Sequence, residues 1–285
     1  MKLRVILIAL LILVVVVFFL TWLQSPSKEP FGELSPVDDF FMRMSKPDLY
    51  ARQVADELKF PSDYRDFYYS NVKEPTAEQA SILRILCTKA DELIRDYGFK
   101  DLLDVPWKFK IIADSRVENG FPHTLGDTIY ISDSVLNQIN SSSDLSVVKT
   151  LIHERIHLYQ KANGTRTSDL IKKWGFKPSK MRDELQRNNP DLDGINYSYK
   201  DYVILQRYKS PKPSSLLDSD VVIVDQKMDE TPVISAALLG FPGFIKQFEH
   251  PLEIMACLLA ELIVNGDKGF IENEKVVILR KWLKI

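Results

Sequence analysis

The sequence predicts an α+β protein: a small mixed sheet with helices packed on it, placed behind a single N-terminal membrane-spanning helix. Three observations carry this prediction. Val5 to Leu23 is an unbroken uncharged run. Trp107–Ala113 and Thr128–Ser132 alternate apolar and polar residues in the manner of half-buried strands. Thr76–Tyr97, the stretch around Leu151, and Met255–Val264 carry apolar residues at helical spacing.

Composition sets the bounds. With 285 residues the chain is long enough to bury a substantial core. A net charge of −2 lacks the basic excess of a dedicated nucleic-acid binder, so no nucleic-acid partner is expected. The two cysteines, Cys87 and Cys257, are too few for a disulfide framework and form no C-x-x-C pair, so both are expected as buried free thiols.

As a helix, residues 5–23 would span roughly 28 Å at 1.5 Å per residue, close to the hydrocarbon thickness of a bilayer. Lys2 and Arg4 precede the run and Trp22 stands at its far end. After it, TWLQSPS is a poor cleavage site, so a retained signal-anchor is expected rather than a removed signal peptide. The positive flank places residues 1–4 in the cytosol and the rest of the chain on the luminal or extracellular side. Residues 24–36, with Pro26, Pro30 and Pro36, form an extended stalk.

Residues 37–100 are expected as a helical N-terminal part of the soluble domain, and 101–285 as its core. Pro47 and Pro61 break the first part into short helices, whose aromatic FFMRM and DFYYS clusters pack inward. Thr76 and Gln79 form a capping box, and Leu83, Leu86, Ala90, Leu93 and Tyr97 make the stripe of a longer helix expected to pack behind the sheet. Val117–Asp127 is expected as a loop holding His123. Lys161–Arg187 is expected as solvated surface, and Asn188-Asn189-Pro190-Asp191 as a turn. Strands follow at Tyr202–Gln206 and Val221–Asp225, and a last helix at Lys275–Leu283. Sequons at Asn140, Asn163 and Asn196 offer glycosylation sites should the domain face a secretory lumen.

The chemistry concentrates in His153-Glu154-Arg155-Ile156-His157. Val147, Val148, Leu151, Ile152 and Ile156 put this motif on a helix, with Ser143-Asp144 as the N-cap. Residues four apart share a helix face, so His153 and His157 can aim at one zinc ion while Glu154 takes the proton of an attacking water. Arg155 is expected to point away from the pair and snorkel to solvent. A catalytic zinc takes three protein ligands and keeps an open position. Downstream, Glu249-His250-Pro251-Leu252-Glu253 supplies the candidates. Pro251 suits the first turn of a helix, which puts Glu253 in that turn among apolar neighbours, where an anionic side chain needs a partner. Glu253 is therefore the favoured third ligand, with Glu249 and His250 as the alternatives.

HERIH followed by a helix bearing Glu253 resembles the gluzincin class of zinc metallopeptidases, whose familiar members are thermolysin-like. The likeness spans roughly Trp107–Val264. It implies a zincin-like core, one Zn2+ held by His153, His157 and Glu253, Glu154 as general base, and a peptide or protein substrate paired to an edge strand around Ile129. An oxyanion donor is implied among His123, His250, Tyr197, Tyr199 and Tyr202. Two departures stand out. Cys257 occupies the place where thermolysin-like enzymes carry an Asp four residues after the Glu, and the gap between His157 and Glu253 is longer than in those chains. The alternative expectation is a non-catalytic membrane-tethered module with a structural or vestigial zinc site. An intramembrane protease is disfavoured by Lys149, Arg155 and Lys161 around the motif.

Overall fold

A computed structural model describes residues 35–55, 61–137, 145–225, 230–232, 236–266 and 273–284. The chain divides into Met1–Ser35 and Pro36–Ile285, and the second unit holds all the described secondary structure. The expected anchor at 5–23, residues 24–34 of the stalk expected at 24–36, the N-cap at Ser143-Asp144 and the sequon at Asn140 lie outside the described residues, and Pro36 starts a helix instead of ending the stalk. Among the described residues no helix is long and apolar enough to cross a membrane.

Three short helices open the unit, α1 (Pro36–Arg43), α2 (Lys46–Ala55) and α3 (Pro61–Ser70). Proline begins helices readily because its missing N–H has no intrahelical partner in the first turn, and Pro36, Pro47 and Pro61 all stand at such starts. Phe40, Tyr64 and Tyr68 from these helices are fully buried. After β1 (Val72–Lys73) comes α4 (Ala77–Tyr97). Its start is locked by the reciprocal Thr76–Gln79 bonds and its end by Gly98 at φ 94°, a left-handed cap that glycine adopts without steric cost.

A short α5 (Lys100–Leu103) leads to β2 (Phe109–Ile112), β3 (His123–Leu125) and β4 (Thr128–Ser132), followed by α6 (Asp133–Asn137). The first sheet has the order β1-β2-β4-β3, with β2 and β4 parallel and the other pairs antiparallel. Two expectations change here. The strand around Ile129 is internal and buried along its whole length, so it has no free edge to offer a substrate. The edge belongs to β3, inside the stretch expected to be a loop. A three-residue strand bounded by Pro122 and Gly126 leaves too little alternation to be recognised.

The motif helix α7 (Leu145–Ala162) is central. It packs against α4 and against α9 (Pro251–Asn265), and nearly every side chain from Leu151 to Gln160 is buried. Leu86, Ile94, Ile129, Leu151, Ile156, Ile254 and Leu258 belong to one core cluster, which crosses the expected junction at residue 100. So α4 packs on the motif helix itself, not only behind the sheet.

Between α7 and α9 the chain makes α8 (Gly164–Lys173) and a second sheet. Its strands β5 (Phe176–Ser179), β6 (Asn196–Tyr199), β7 (Tyr202–Tyr208), β8 (Ser219–Val224) and β9 (Glu230–Pro232) form an antiparallel meander in sequence order. This sheet fills the long gap between His157 and Glu253. The basic stretch before it is solvated only in part, because Trp174 and Phe176 enter the core and the Trp174 indole donates to Lys275 O at 3.0 Å. Asn196 is buried and its amide is bonded to Met181 O and Gln186, so in the folded chain it offers no glycosylation site. A final helix, α10 (Glu274–Leu283), is capped by Asn273.

Candidate metal site

The helical repeat stacks His153 and His157 on one face of α7, and Pro251 starts α9 so that Glu253 enters from the facing helix. The three side chains converge. His153 Nε2 and His157 Nε2 are 3.0 Å apart, and Glu253 Oε2 lies 3.3 Å from the first and 3.4 Å from the second. Nitrogen and oxygen ligands held tetrahedrally at 2.0–2.1 Å from zinc stand about 3.3 Å from one another, so these spacings match a tetrahedral site with one corner left over. Glu253 Oε2 is buried with no hydrogen-bond partner, an expensive state for a carboxylate oxygen unless a cation completes it. His157 and Glu253 are fully buried, whereas 11 % of the His153 side chain stays exposed, on the side of the cleft. The residues present therefore fit a metal ion.

The outward-facing atoms of the three groups are held in place. Gln160 donates its Nε2 to Leu252 O at 2.9 Å, which turns its Oε1 towards His157 Nδ1, also at 2.9 Å. His157 therefore carries its proton on Nδ1 and presents a lone pair at Nε2. Asn189 Nδ2 donates to Glu253 Oε1 at 2.7 Å, leaving Oε2 aimed at the histidines. Cys257 Sγ lies 3.8 Å from His153 Nδ1 and donates to Gln247 Oε1 at 3.4 Å. Cys257 is thus no inert core thiol; it lines the cleft one helical turn beyond Glu253. Such outer partners orient ligating imidazoles. Gln160 was findable from sequence as the residue three beyond His157 on the same face. Asn189 was not, because it meets Glu253 across 64 residues.

Glu154 faces a cleft of about 590 Å³. It is 3 % exposed, and its Oε2 has no partner. Burial, reinforced by Asp191 and Glu253, pushes its carboxyl well above the ordinary range. Glu253 goes the other way: burial opposes its charge, but the His157 and His153 imidazoles hold it well below that range.

Arg155 overturns its expectation. The back of α7 is covered by α4 and the loop after α5, so Arg155 is only 2 % exposed. Its guanidinium is bonded to Val105 O at 2.7 Å, Leu103 O at 3.0 Å and the Asp91 carboxylate, and it sits 4.2 Å above the Trp107 ring. It clamps the back of the motif helix to α4.

The expected oxyanion donors are not brought to the metal ligands as free donors. His123 is buried on β3, with Nε2 at 2.8 Å from the Tyr68 hydroxyl, Nδ1 at 2.9 Å from Phe121 O, and its ring stacked on Tyr130. Burial pushes its pKa down. His250 caps α9 through Nδ1, which accepts from Leu252 N, and donates Nε2–H to Ile195 O, so it is excluded as the third ligand too. Tyr197 packs against the His250 ring, Tyr199 against Phe176, and Tyr202 is 43 % exposed; none of the three lines the cleft. Glu249 does line it, and burial beside Glu253 raises its carboxyl to about 7.

The outer edge of β3 is buried and occupied from within. Thr124 N–H donates to Asp191 Oδ1 at 2.5 Å, and Thr124 O accepts from Lys161 Nζ at 2.9 Å. Comparison with protein-family models, curated proteins and solved structures returned no match.

Proposed function

We propose that this protein is a zinc metallopeptidase with a zincin-like core, anchored in a membrane through residues 5–23. The observation that carries the reading is the triangle of His153, His157 and Glu253 at tetrahedral spacing, with an unsatisfied carboxylate oxygen inside it. A structural zinc site is closed by four protein ligands, whereas among the described residues this one has three and opens at His153 on a cleft. That opening favours catalysis over a purely structural role.

When bound, zinc supplies Lewis acidity and makes water easier to deprotonate. The chain supplies the rest. Glu154, which lines the cleft with an unpartnered Oε2 and a raised pKa, accepts the proton of the attacking water and returns it to the leaving amine. Gln160, Asn189 and Cys257 hold the ligand side chains to one orientation. Peptide bonds are the favoured substrate because this motif on a helix most often serves peptidases. The β3 edge pairs with a substrate strand only if Asp191 and Lys161 are displaced from Thr124.

The test is cleavage of a mixed peptide library by the full-length chain in detergent, read by mass spectrometry. Cleavage that a chelator stops and zinc restores supports the reading. One bound zinc with no cleavage of any peptide supports the non-catalytic module instead.

A further inference from the structure

The segment from Arg187 to Asp191 crosses the cleft wall, and four of its five residues are tied down. Arg187 N–H donates to Gln206 O on β7. Asn188 donates to Asp48 Oδ2 and its carbonyl accepts from Arg52. Asn189 holds the ligand Glu253, and Asp191 holds β3 at Thr124. The Arg187 side chain is the exception. It is half-buried and lines the same cleft as His153 and Glu154, yet among the described residues its guanidinium makes no hydrogen bond or ion pair, and its Nε is buried without a partner. Glu249 lies close enough to feel its charge but forms no ion pair with it. The cleft's other cations differ: Lys149 is paired with Glu261, and Lys246 is on an exposed flexible stem.

A guanidinium with a buried, unsatisfied donor on a rigid backbone is costly for the free protein, and a planar fork of donors matches a carboxylate at two points. We propose that Arg187 is the substrate-recognising cation of this cleft and receives a carboxylate of the bound peptide, either its C-terminal α-carboxylate or an acidic side chain. The substrate class rests on the peptidase reading; the anion preference of the cleft does not. Fixed by β7 on one side and by the ligand-holding Asn189 on the other, Arg187 would set the position of that carboxylate relative to Glu154.

The test uses the full-length chain in detergent, zinc-supplemented and carrying Glu154→Gln so that nothing is cleaved. Three labelled N-acetylated peptides of one sequence are titrated by fluorescence anisotropy: one with a free C-terminal carboxylate, one amidated and neutral, and one amidated with a single Glu. One or both carboxylate peptides should bind about 10- to 100-fold tighter than the neutral one, the range of charge-assisted pairs. Which of the two gains tells the α-carboxylate from the side chain. Adding Arg187→Gln should erase the preference, Arg187→Lys should keep part of it, and Arg187→Glu should reverse it, so that the neutral peptide binds tighter than the carboxylate peptides. Unchanged melting temperatures of these variants show that the effect is not unfolding. Equal binding of the three peptides, no binding of any, or a preference that survives Arg187→Gln overturns the proposal. A preference that depends on Arg187, in a protein whose wild type cleaves nothing, defeats the peptidase reading and leaves Arg187 assigned.

Discussion

Two buried polar clusters meet the Arg187–Asp191 segment, one through Asn188 and the other through Asn189, and they are built on opposite terms. In the first, Arg52 is bonded to both oxygens of Glu118 at 2.7 and 2.9 Å and to Asp48 Oδ1 at 2.5 Å. Tyr64 and Tyr208 donate to Glu118 and Asp48, and Asn188 completes Asp48 Oδ2. Every charge there has its partners inside the protein. In the second, Glu154, Glu253 and His157 are as deeply buried, with His153 at the cleft, yet one oxygen of each carboxylate is unsatisfied. The first cluster ties α2 and α3 to the loop at Glu118, whose left-handed φ of 46° needs such support. Burial alone does not mark a functional site; two orphaned carboxylate oxygens beside a histidine pair single this one out.

Glu154→Gln should give the largest effect in the second cluster. Peptide hydrolysis should fall by roughly 100- to 10,000-fold while the zinc content and melting temperature hold. Loss of metal along with activity would show that Glu154 is a ligand, not the base.

In the first cluster, Arg52→Met should cost about 3–5 kcal/mol in urea denaturation, because it strands Asp48 and Glu118 as buried unpaired charges. A loss under about 1 kcal/mol would mean that water or neighbouring groups replace Arg52, and the contrast between the clusters would weaken.

Gln160→Ala should lower zinc affinity by about 10- to 100-fold with little change in the stability of the metal-free chain, as expected for a partner that acts through His157. Competition with a chromophoric chelator reads this directly. An unchanged affinity would assign Gln160 to helix packing through Leu252 alone.

The smallest contrast is in pH. Burial raises the Glu118 carboxyl, but Arg52 outweighs it and holds the group below its ordinary value. Its contribution is therefore present above the unfolded value of about 4.3 and lost as pH falls below it. Glu154 is raised by burial and by Asp191, so in the metal-free chain its contribution is full below about 4.3 and lost as pH rises. Stability measured against pH in Arg52→Met and in Glu154→Gln should change on the acid limb in the first variant and above it in the second.

What the sequence disclosed follows from how local each feature is. The histidine pair and Glu154 are set by helix periodicity over five residues, and Glu253 by Pro251 two residues before it. The Thr76–Gln79 box is equally local, and it is present. Arg155 was misjudged because nothing in its own stretch says that the back of α7 would be covered by α4 and Trp107. His123 does line the cleft, but its partners, Tyr68 and Tyr130, come from other elements and could not be read from its own stretch. Asn189 and Asp191 had turn chemistry to show and no more, and Arg187 only a basic surface stretch, since their roles depend on contacts across 19 to 67 residues.

The central claim is that the second cluster is completed by a metal ion, and zinc titration of the full-length chain tests it most directly. Elemental analysis after zinc supplementation and removal of loosely bound ions should find one zinc per chain. Glu253→Gln should bind it more weakly, and His157→Ala should bind none, since each removes one of three ligands. A wild-type chain that retains no metal, or variants that retain as much as the wild type, would contradict the account.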